Sequence, residues 1–106
     1  MSELEKTIRL NELYDFYNSL LTDRQKEYFE EYYFNNLSLK EISLKYNVSR
    51  NAVHLCLKDV NKELEEYEEK LFLLKKYKER DSLYSELKEI ENKDVQEILN
   101  KLLEIE

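Results

Sequence analysis

The complete absence of glycine and proline constrains this chain of 106 residues more than any other feature. Tight β-hairpins depend on glycine where the backbone needs a positive φ, whereas an α-helix needs neither residue. Charged side chains make up 39% of the residues, which is typical of long amphipathic helices. We therefore predict an all-α protein with room for one domain, or for one small domain and a helical extension.

Residues 38–57, with the sequence SLKEISLKYNVSRNAVHLCL, predict two short helices joined by a tight turn. The Ser38 hydroxyl can cap the first helix, and Glu41 three residues later can complete a capping box. Asn47 tolerates the left-handed conformation that ends a helix, and Ser49 can cap the second helix. This spacing predicts a helix-turn-helix, whose second helix is offered to a major groove.

The inner faces expected for these two helices follow helical spacing. They consist of Leu39, Ile42, Ser43, Ala52, Val53, Cys56 and Leu57, with small Ala52 where the two helices approach closely. Two helices are expected before the motif, the first over residues 3–21 and the second from a Thr22 N-cap with Gln25 as its capping-box partner. The second helix has an aromatic face, which we interpret as core instead of a platform for nucleic-acid bases. Its residues are Tyr28, Phe29, Tyr32 and Tyr33.

Beyond Ser49, apolar residues recur at intervals of four and three with no helix breaker, which predicts one long helix from Arg50 to about Tyr77. This heptad stripe consists of Val53, Leu57, Val60, Leu64, Tyr67, Leu71 and Leu74. The head of three helices cannot cover the far half of such a helix. Its later positions are therefore expected to form a seam with the C-terminal helices, a second copy or a partner: Val60, Leu64, Tyr67, Leu71 and Leu74. The spacing leaves these alternatives open.

The C-terminal residues predict two more helices, capped at Asp81–Ser82 and at Asp94, which can fold back on the long one. The expected organisation is a helix-turn-helix domain over residues 1–60, similar to a winged helix without the wing. A helical extension and a C-terminal helical hairpin follow over residues 61–106.

The net charge of −7 is unevenly distributed. Residues 1–57 carry 7 basic and 9 acidic side chains, a balance of −2, whereas residues 58–106 carry 10 and 15, a balance of −5. DNA-binding proteins usually have a basic surplus, because their phosphate contacts release counterions. The charge therefore argues against strong, non-specific DNA binding, although a local basic edge is compatible with it.

The second helix of the motif offers few side chains for reading DNA. Base contacts need Arg, Lys, Asn or Gln, together with positive phosphate clamps. The candidates for nucleic-acid or partner contact are Arg50, Asn51, His54 and Lys58, with Ser38, Lys40 and Ser49 near phosphates. Leu55 adds an apolar residue that we expect to be exposed, and Asp59 adds an acid.

The residue types present predict no catalytic, metal or cofactor site. The single histidine, His54, and the single cysteine, Cys56, stand two apart on a helix and point about 200° apart, so they cannot share a metal. A phosphate-binding loop needs glycine. One cysteine excludes an internal disulfide, and no run approaches the ~18 apolar residues of a membrane span. We expect a cytoplasmic protein that does not bind membranes.

The segments NELYDFYNSLLT, SLKEIS and VSRNAV, followed by LEEYEEKLFLLKKY, carry a resemblance to a known family over about residues 5–80. They resemble the YlxM family, small bacterial proteins whose helix-turn-helix is similar to region 4 of sigma factors. The resemblance implies an all-α, non-enzymatic protein associated with the signal recognition particle pathway. Its implied partners are the GTPase of that particle and its RNA. The family commonly has a second basic residue after the motif, where this chain has Asp59.

Two functions from different classes are therefore expected. The first is an interaction module, a regulator or accessory of protein targeting, in which the motif and the seam bind a protein or a second copy as a homodimer. The second is a transcriptional regulator that reads DNA with the helix Arg50–Lys58. The charge and Leu55 favour the first and predict only weak DNA binding.

Overall fold

The computed structural model describes all residues from 1 to 106 and consists of six α-helices without a β-strand. The helices are α1 (Glu3–Tyr17), α2 (Asp23–Tyr33), α3 (Leu39–Tyr46), α4 (Arg50–Leu71), α5 (Leu73–Lys88) and α6 (Lys93–Ile105). The all-α prediction is confirmed. None of the six helices combines the length and the hydropathy that a bilayer-spanning segment needs.

The helix starts follow the local signals in the sequence. The Thr22 hydroxyl accepts the Gln25 backbone N–H at 3.2 Å, and the Gln25 side chain accepts the Thr22 N–H at 2.9 Å. The same reciprocal pair forms between Ser38 and Glu41, with both distances at 3.0 Å. Ser49 caps α4, since its hydroxyl accepts the Ala52 N–H at 3.0 Å. These caps satisfy backbone donors that have no partner within the helix, which is why they can be predicted locally.

The chain divides into an N-terminal unit, Met1–Phe72, and a C-terminal unit, Leu73–Glu106. This division follows Phe72, whereas the sequence predicted one after residue 60. In the N-terminal unit, α4 packs against each of α1, α2 and α3. The Tyr14 and Phe29 rings stack at 4.3 Å between α1 and α2. The buried apolar residues are Leu13, Tyr14, Tyr17, Leu21, Tyr28, Phe29, Ile42, Val53, Leu57, Val60 and Leu64.

Polar contacts along α4 fasten it to α1. The Arg9 guanidinium donates to both carboxylate oxygens of Glu65, at 2.7 and 2.9 Å. Toward the end of α4, the buried Tyr17 hydroxyl donates to Glu68 at 2.6 Å. Since Glu68 is itself buried, its carboxylate needs such partners to offset the loss of hydration.

The heptad stripe is not one interface. Val53, Leu57, Val60 and Leu64 are all buried in the core of the N-terminal unit. Tyr67 is half-buried, with its hydroxyl 3.5 Å from the Leu20 carbonyl oxygen, and Leu71 is 45% exposed. Leu74 is buried but belongs to α5. The expected seam with the C-terminal helices, a second copy or a partner is therefore wrong for Val60 and Leu64, because both are fully buried in the N-terminal unit, where α4 packs against α1, α2 and α3.

Two predicted helix boundaries are wrong. The first helix ends at Tyr17 and passes into a 3₁₀ turn at Asn18–Leu20, before residue 21. The long helix stops at Leu71, because Phe72 adopts a left-handed conformation with φ 55° and ψ 28°. Such a conformation costs a bulky residue about 1–2 kcal/mol. A helix end of this kind usually has glycine or asparagine, so Phe72 gives no local signal that the helix ends.

Two predicted inner faces also need correction. Ala52 is exposed, so it does not lie at the close approach of α3 and α4, where Ile42 and Val53 are fully buried instead. In α2, Tyr28 and Phe29 are core residues as predicted, but Tyr32 is 38% exposed and Tyr33 is half-buried. Both rings lie in the last turn of α2, where they border an open groove beside α4 instead of the closed core.

The C-terminal unit is a hairpin of α5 and α6. Asp81 and Ser82 lie inside α5, so the predicted cap there is wrong. Asn92, not Asp94, caps α6, because its side-chain oxygen accepts the N–H groups of both Asp94 and Val95, at 2.9 and 3.2 Å. Gln96 then fastens the turn by donating to carbonyl oxygens at the end of α5. Only Leu74 and Leu99 are buried in this unit.

Candidate contact surface on the helix-turn-helix

The turn between α3 and α4 directs the first turns of α4 outward. Asn47 ends α3 in the left-handed conformation, with φ 53° and ψ 49°, as predicted. Its backbone N–H and that of Val48 both bond to the Ser43 carbonyl oxygen, which satisfies a free acceptor at the helix end. With Ile42 and Val53 fully buried between the helices, the opposite side of α4 faces solvent.

A second set of contacts holds α3 against α2. The buried Glu31 carboxylate forms an ion pair with Lys45 and accepts hydrogen bonds from Asn35 at 2.7 Å and Tyr46 at 3.3 Å. The hydrogen bond from Lys45 is the main cause that lowers the pKa of Glu31, and Asn35 adds to it. Lys45 is therefore committed to the fold, unlike Lys40 on the same helix, which forms no ion pair.

The candidate residues on α4 share one exposed side. Arg50, His54 and Lys58 follow each other at intervals of four, and Asn51 lies beside them; all four are exposed. At this spacing their side chains form a continuous stripe along the helix. Neither Arg50 nor Lys58 forms an ion pair within the chain, so both charges are available to a partner. An open depression joins three of these residues to α3, with Leu39, Arg50, Asn51 and His54 as its lining.

The remaining predicted residues lie at the starts of α3 and α4. Ser38 and Ser49 are exposed, but each hydroxyl already accepts a backbone N–H as a helix cap. Their first role is therefore to fix the ends of the two helices. Lys40 is exposed in the first turn of α3 and remains available for a contact.

A groove beside α4 adds residues that the sequence did not single out. It encloses about 260 Å³ and is lined by Tyr32, Tyr33, Leu39, His54, Leu57, Lys58 and Asn61. The Asn61 amide donates to the Tyr33 hydroxyl at 3.2 Å, while its buried Oδ1 has no hydrogen-bond partner. His54, Lys58 and Asn61 are spaced by four and three, so the sequence did carry a signal for one shared side of the helix.

The two flanks of α4 differ in charge. Arg50, His54 and Lys58 lie on the side of the groove. On the other side of α4, burial raises the pKa of the Cys56 thiol, and the carboxylates of Asp59 and Glu63 raise it further. A thiol shifted in this direction stays protonated near neutral pH. Leu55, between the two flanks, is 50% exposed, as the sequence predicted. The surface thus combines basic, aromatic and aliphatic side chains instead of a row of cations.

The buried junction of α3 with an outward-facing α4 defines an all-α helix-turn-helix protein. A family model described as "Putative helix-turn-helix protein, YlxM / p13 like" matches residues 4–104, and the chain belongs to this family, UPF0122. The chain is 53% identical to the UPF0122 protein YlxM of Bacillus subtilis (strain 168) over 82% of this chain and 79% of that protein. It is 48% identical to a UPF0122 protein of Bacillus cereus (strain AH187) over 95% and 94% of the two chains. The predicted resemblance is confirmed.

Proposed function

We propose that this chain is a non-enzymatic interaction protein of the cytoplasm that binds a protein partner through the exposed side of α4. By the family resemblance, it would act as an accessory or regulator in the signal recognition particle pathway. The candidate partner is the GTPase of that particle, with its RNA as a further component of the bound complex. The observation that carries the proposal is the mixed surface around Arg50, His54 and Lys58, where aromatic and aliphatic groups adjoin the cations.

The composition of this surface favours a protein partner. Protein interfaces are enriched in Tyr and Arg, and their centre is apolar. Here Tyr32 and Leu39 lie beside Lys58 and His54 in one groove, and Leu55, which directly follows His54, is half-exposed. Burying such groups against a protein removes apolar surface from water, at about 25 cal/mol per Å². A phosphate backbone would gain nothing from Leu55.

The alternative is a transcriptional regulator that reads DNA with the helix Arg50–Lys58. The exposed stripe of Arg50, Asn51, His54 and Lys58 supports it, since a recognition helix contacts base edges with its N-terminal residues. Asp59 and the net charge of −7 weigh against it, because phosphates would be repelled. DNA binding by this chain should therefore be weak.

A salt-titrated binding assay separates the two functions. The full chain is titrated against the purified GTPase, against the particle RNA and against genomic DNA fragments, each at 50 and 200 mM salt. We expect GTPase binding that survives at ~200 mM salt and DNA binding that vanishes there, as electrostatic binding does. Sequence-specific DNA binding that persists at 200 mM salt would instead support the regulator.

Matched variants locate the contact. Arg50→Ala and Leu55→Ala should each weaken GTPase binding by about tenfold, because anchor residues at an interface carry most of its binding free energy. Lys101→Ala removes the same charge as Arg50→Ala from an exposed position on α6, so it serves as the control and should bind like the unchanged chain. Equal losses in Arg50→Ala and Lys101→Ala would refute a contact at α4.

A further inference from the structure

The C-terminal unit leaves an apolar face uncovered. Leu83 on α5 and Ile98 on α6 are 59% and 60% exposed. Ile90 in the connecting turn and Leu102 on α6 extend the same kind of surface, at 47% and 37%. Short helices with so little buried area are marginally stable in water. Exposed apolar groups gathered in one place indicate a site of association.

Helical periodicity places these side chains on one side of the hairpin. The side of α5 that faces α6 carries Arg80 and Tyr84, which contact the Glu106 carboxylate at 2.8 and 2.7 Å. Leu83 precedes Tyr84 by one residue on α5, and Ile98 precedes the buried Leu99 by one residue on α6, so each is rotated in the same sense from the side that faces the other helix. Because antiparallel helices wind in opposite senses when viewed from one end, Leu83 and Ile98 fall on the same side of the hairpin.

The charges of α5 oppose the dipole of the helix. Within α5, residues 73–80 hold four basic side chains and one acid, a balance of +3, whereas residues 81–88 hold two acids and one basic side chain, a balance of −1, and Glu89 and Glu91 follow in the connecting turn. Cations near a helix N-terminus and anions near its C-terminus are unfavourable. A second α5 lying antiparallel would set the basic half of each helix opposite the acidic half of the other. The segment is therefore complementary in charge to its own copy.

Two charged residues can make this pairing directly. Lys76 precedes the middle of α5 and Glu86 follows it, and both are exposed. Neither forms an ion pair within the chain. On α5, Lys76 and Glu86 each point within about 100°, the rotation of one residue, of the direction of Leu83. They therefore flank the apolar face.

We propose that α5 and α6 form a self-association surface, on which a second copy of the chain docks antiparallel, buries Leu83 and Ile98, and pairs its Glu86 with Lys76. A two-fold interface of this kind uses the same patch on both copies, so each pair of contacts occurs twice. It differs from the predicted seam on α4, whose central residues are internal. It does not depend on the function proposed for α4.

Light scattering and sedimentation of the full chain test the proposal. At tens of micromolar, we expect a mass of two chains of 13.0 kDa each. Ile98→Glu should raise the dimer dissociation constant by about tenfold or more, because it buries an unpaired carboxylate at the interface. Leu44→Glu is the matched control, since Leu44 is 72% exposed on α3, and it should dimerise like the unchanged chain. A monomer at ~100 μM, or equal effects of both variants, would overturn the proposal.

A charge exchange tests the antiparallel arrangement. Lys76→Glu and Glu86→Lys should each weaken the dimer several-fold at low salt, because each places like charges opposite one another. The double variant Lys76→Glu/Glu86→Lys should restore the dissociation constant of the unchanged chain. A double variant that is weaker than either single one would overturn the pairing. Circular dichroism identifies any variant that has lost helix, and because Lys76 and Glu86 are both exposed, all three variants should keep their helices as monomers.

Discussion

The N-terminal and C-terminal units of this protein use helices in different ways. In the N-terminal unit, α4 is covered by three other helices, and an aromatic and aliphatic core excludes water from it. In the C-terminal unit, the helices α5 and α6, of 16 and 13 residues, bury only Leu74 and Leu99. Both units are rich in Leu, Glu and Lys, but eleven of the thirteen aromatic residues lie in the N-terminal unit. The two units also differ in the number of helices available to cover each apolar face.

This comparison separates two origins of helical structure. The N-terminal unit gains stability from its own packing, so its free energy of unfolding should not depend on protein concentration. The C-terminal unit has local caps and a turn fastened by Gln96, but caps contribute only about 1 kcal/mol each. Its remaining stability must come from surfaces that its two helices do not provide for each other.

The largest expected effect tests the core of the N-terminal unit. Phe29 is fully buried and stacks on Tyr14, so Phe29→Ala should reduce the free energy of unfolding by about 3–5 kcal/mol. Leu99→Ala, at the best buried position of α6, should cost about 2–3 kcal/mol and loosen only the C-terminal unit. Urea titrations followed by circular dichroism measure both. Equal losses and a single shared transition would remove the distinction between the units.

A smaller effect tests the buried polar contact at the end of α4. Tyr17→Phe keeps the ring but removes the donor that bonds the buried Glu68 carboxylate at 2.6 Å. We expect a loss of about 1–3 kcal/mol, because a buried carboxylate loses a charge-assisted hydrogen bond. Tyr84→Phe, which removes an exposed hydroxyl bonded to Glu106 at 2.7 Å, is the control in the other unit. Chemical denaturation should show little change for the control.

Helix caps offer a comparison of matched local contacts. Ser49→Ala removes the acceptor for the Ala52 N–H, and Asn92→Ala removes the acceptor for two N–H groups at the start of α6. Each should cost about 1 kcal/mol. Amide hydrogen exchange should show the first loss at the start of α4 and the second across much of α6, since α6 has fewer other contacts. Confinement of both losses to one helical turn would contradict the lower stability of the C-terminal unit.

The smallest expected effect concerns pH. The fold lowers the pKa of Glu31, chiefly through its hydrogen bond with Lys45. The ionised carboxylate therefore stabilises the fold above its unfolded pKa of about 4.3, and this contribution is lost as the pH falls through the lower pKa of the folded state. Glu31→Gln should flatten the fall in stability below about pH 5. Urea midpoints at pH 7 and pH 3 measure it, and equal pH dependence in both chains would contradict the assignment.

Local signals in the sequence predicted the fold better than distant ones. The caps at Thr22, Ser38 and Ser49 and the left-handed Asn47 were correct, because a cap depends on residues within one helical turn, whereas the caps predicted at Asp81–Ser82 and Asp94 were wrong. The end of α4 at Phe72 could not be predicted, since the segment contains neither glycine nor proline and its backbone there is locally unfavourable. Tertiary packing, which a periodicity cannot reveal, decides where such a helix stops.

The candidate site shows the same division. The spacing of Arg50, His54 and Lys58 predicted one exposed side of α4, and Leu55 was correctly expected to be exposed. The part played by Tyr32 and Tyr33 was missed, because an aromatic face at helical spacing is usually core, and only the packing of α1 and α4 shows where that core ends. At Val60 and Leu64 the spacing predicts a seam with the C-terminal helices, a second copy or a partner, because a head of three helices is expected to cover only the near half of the long helix. Its covering helices lie far away in the sequence.

Amide hydrogen exchange of the full chain at two protein concentrations tests the difference between the units most directly. If a second copy covers the C-terminal unit, protection of α5 and α6 should rise about tenfold or more between ~1 and ~100 μM, because association stabilises by mass action. Protection of α2 and α4 should stay the same at both concentrations. Protection of α5 and α6 that is already as high as that of α4 at 1 μM, and does not change with concentration, would contradict the account.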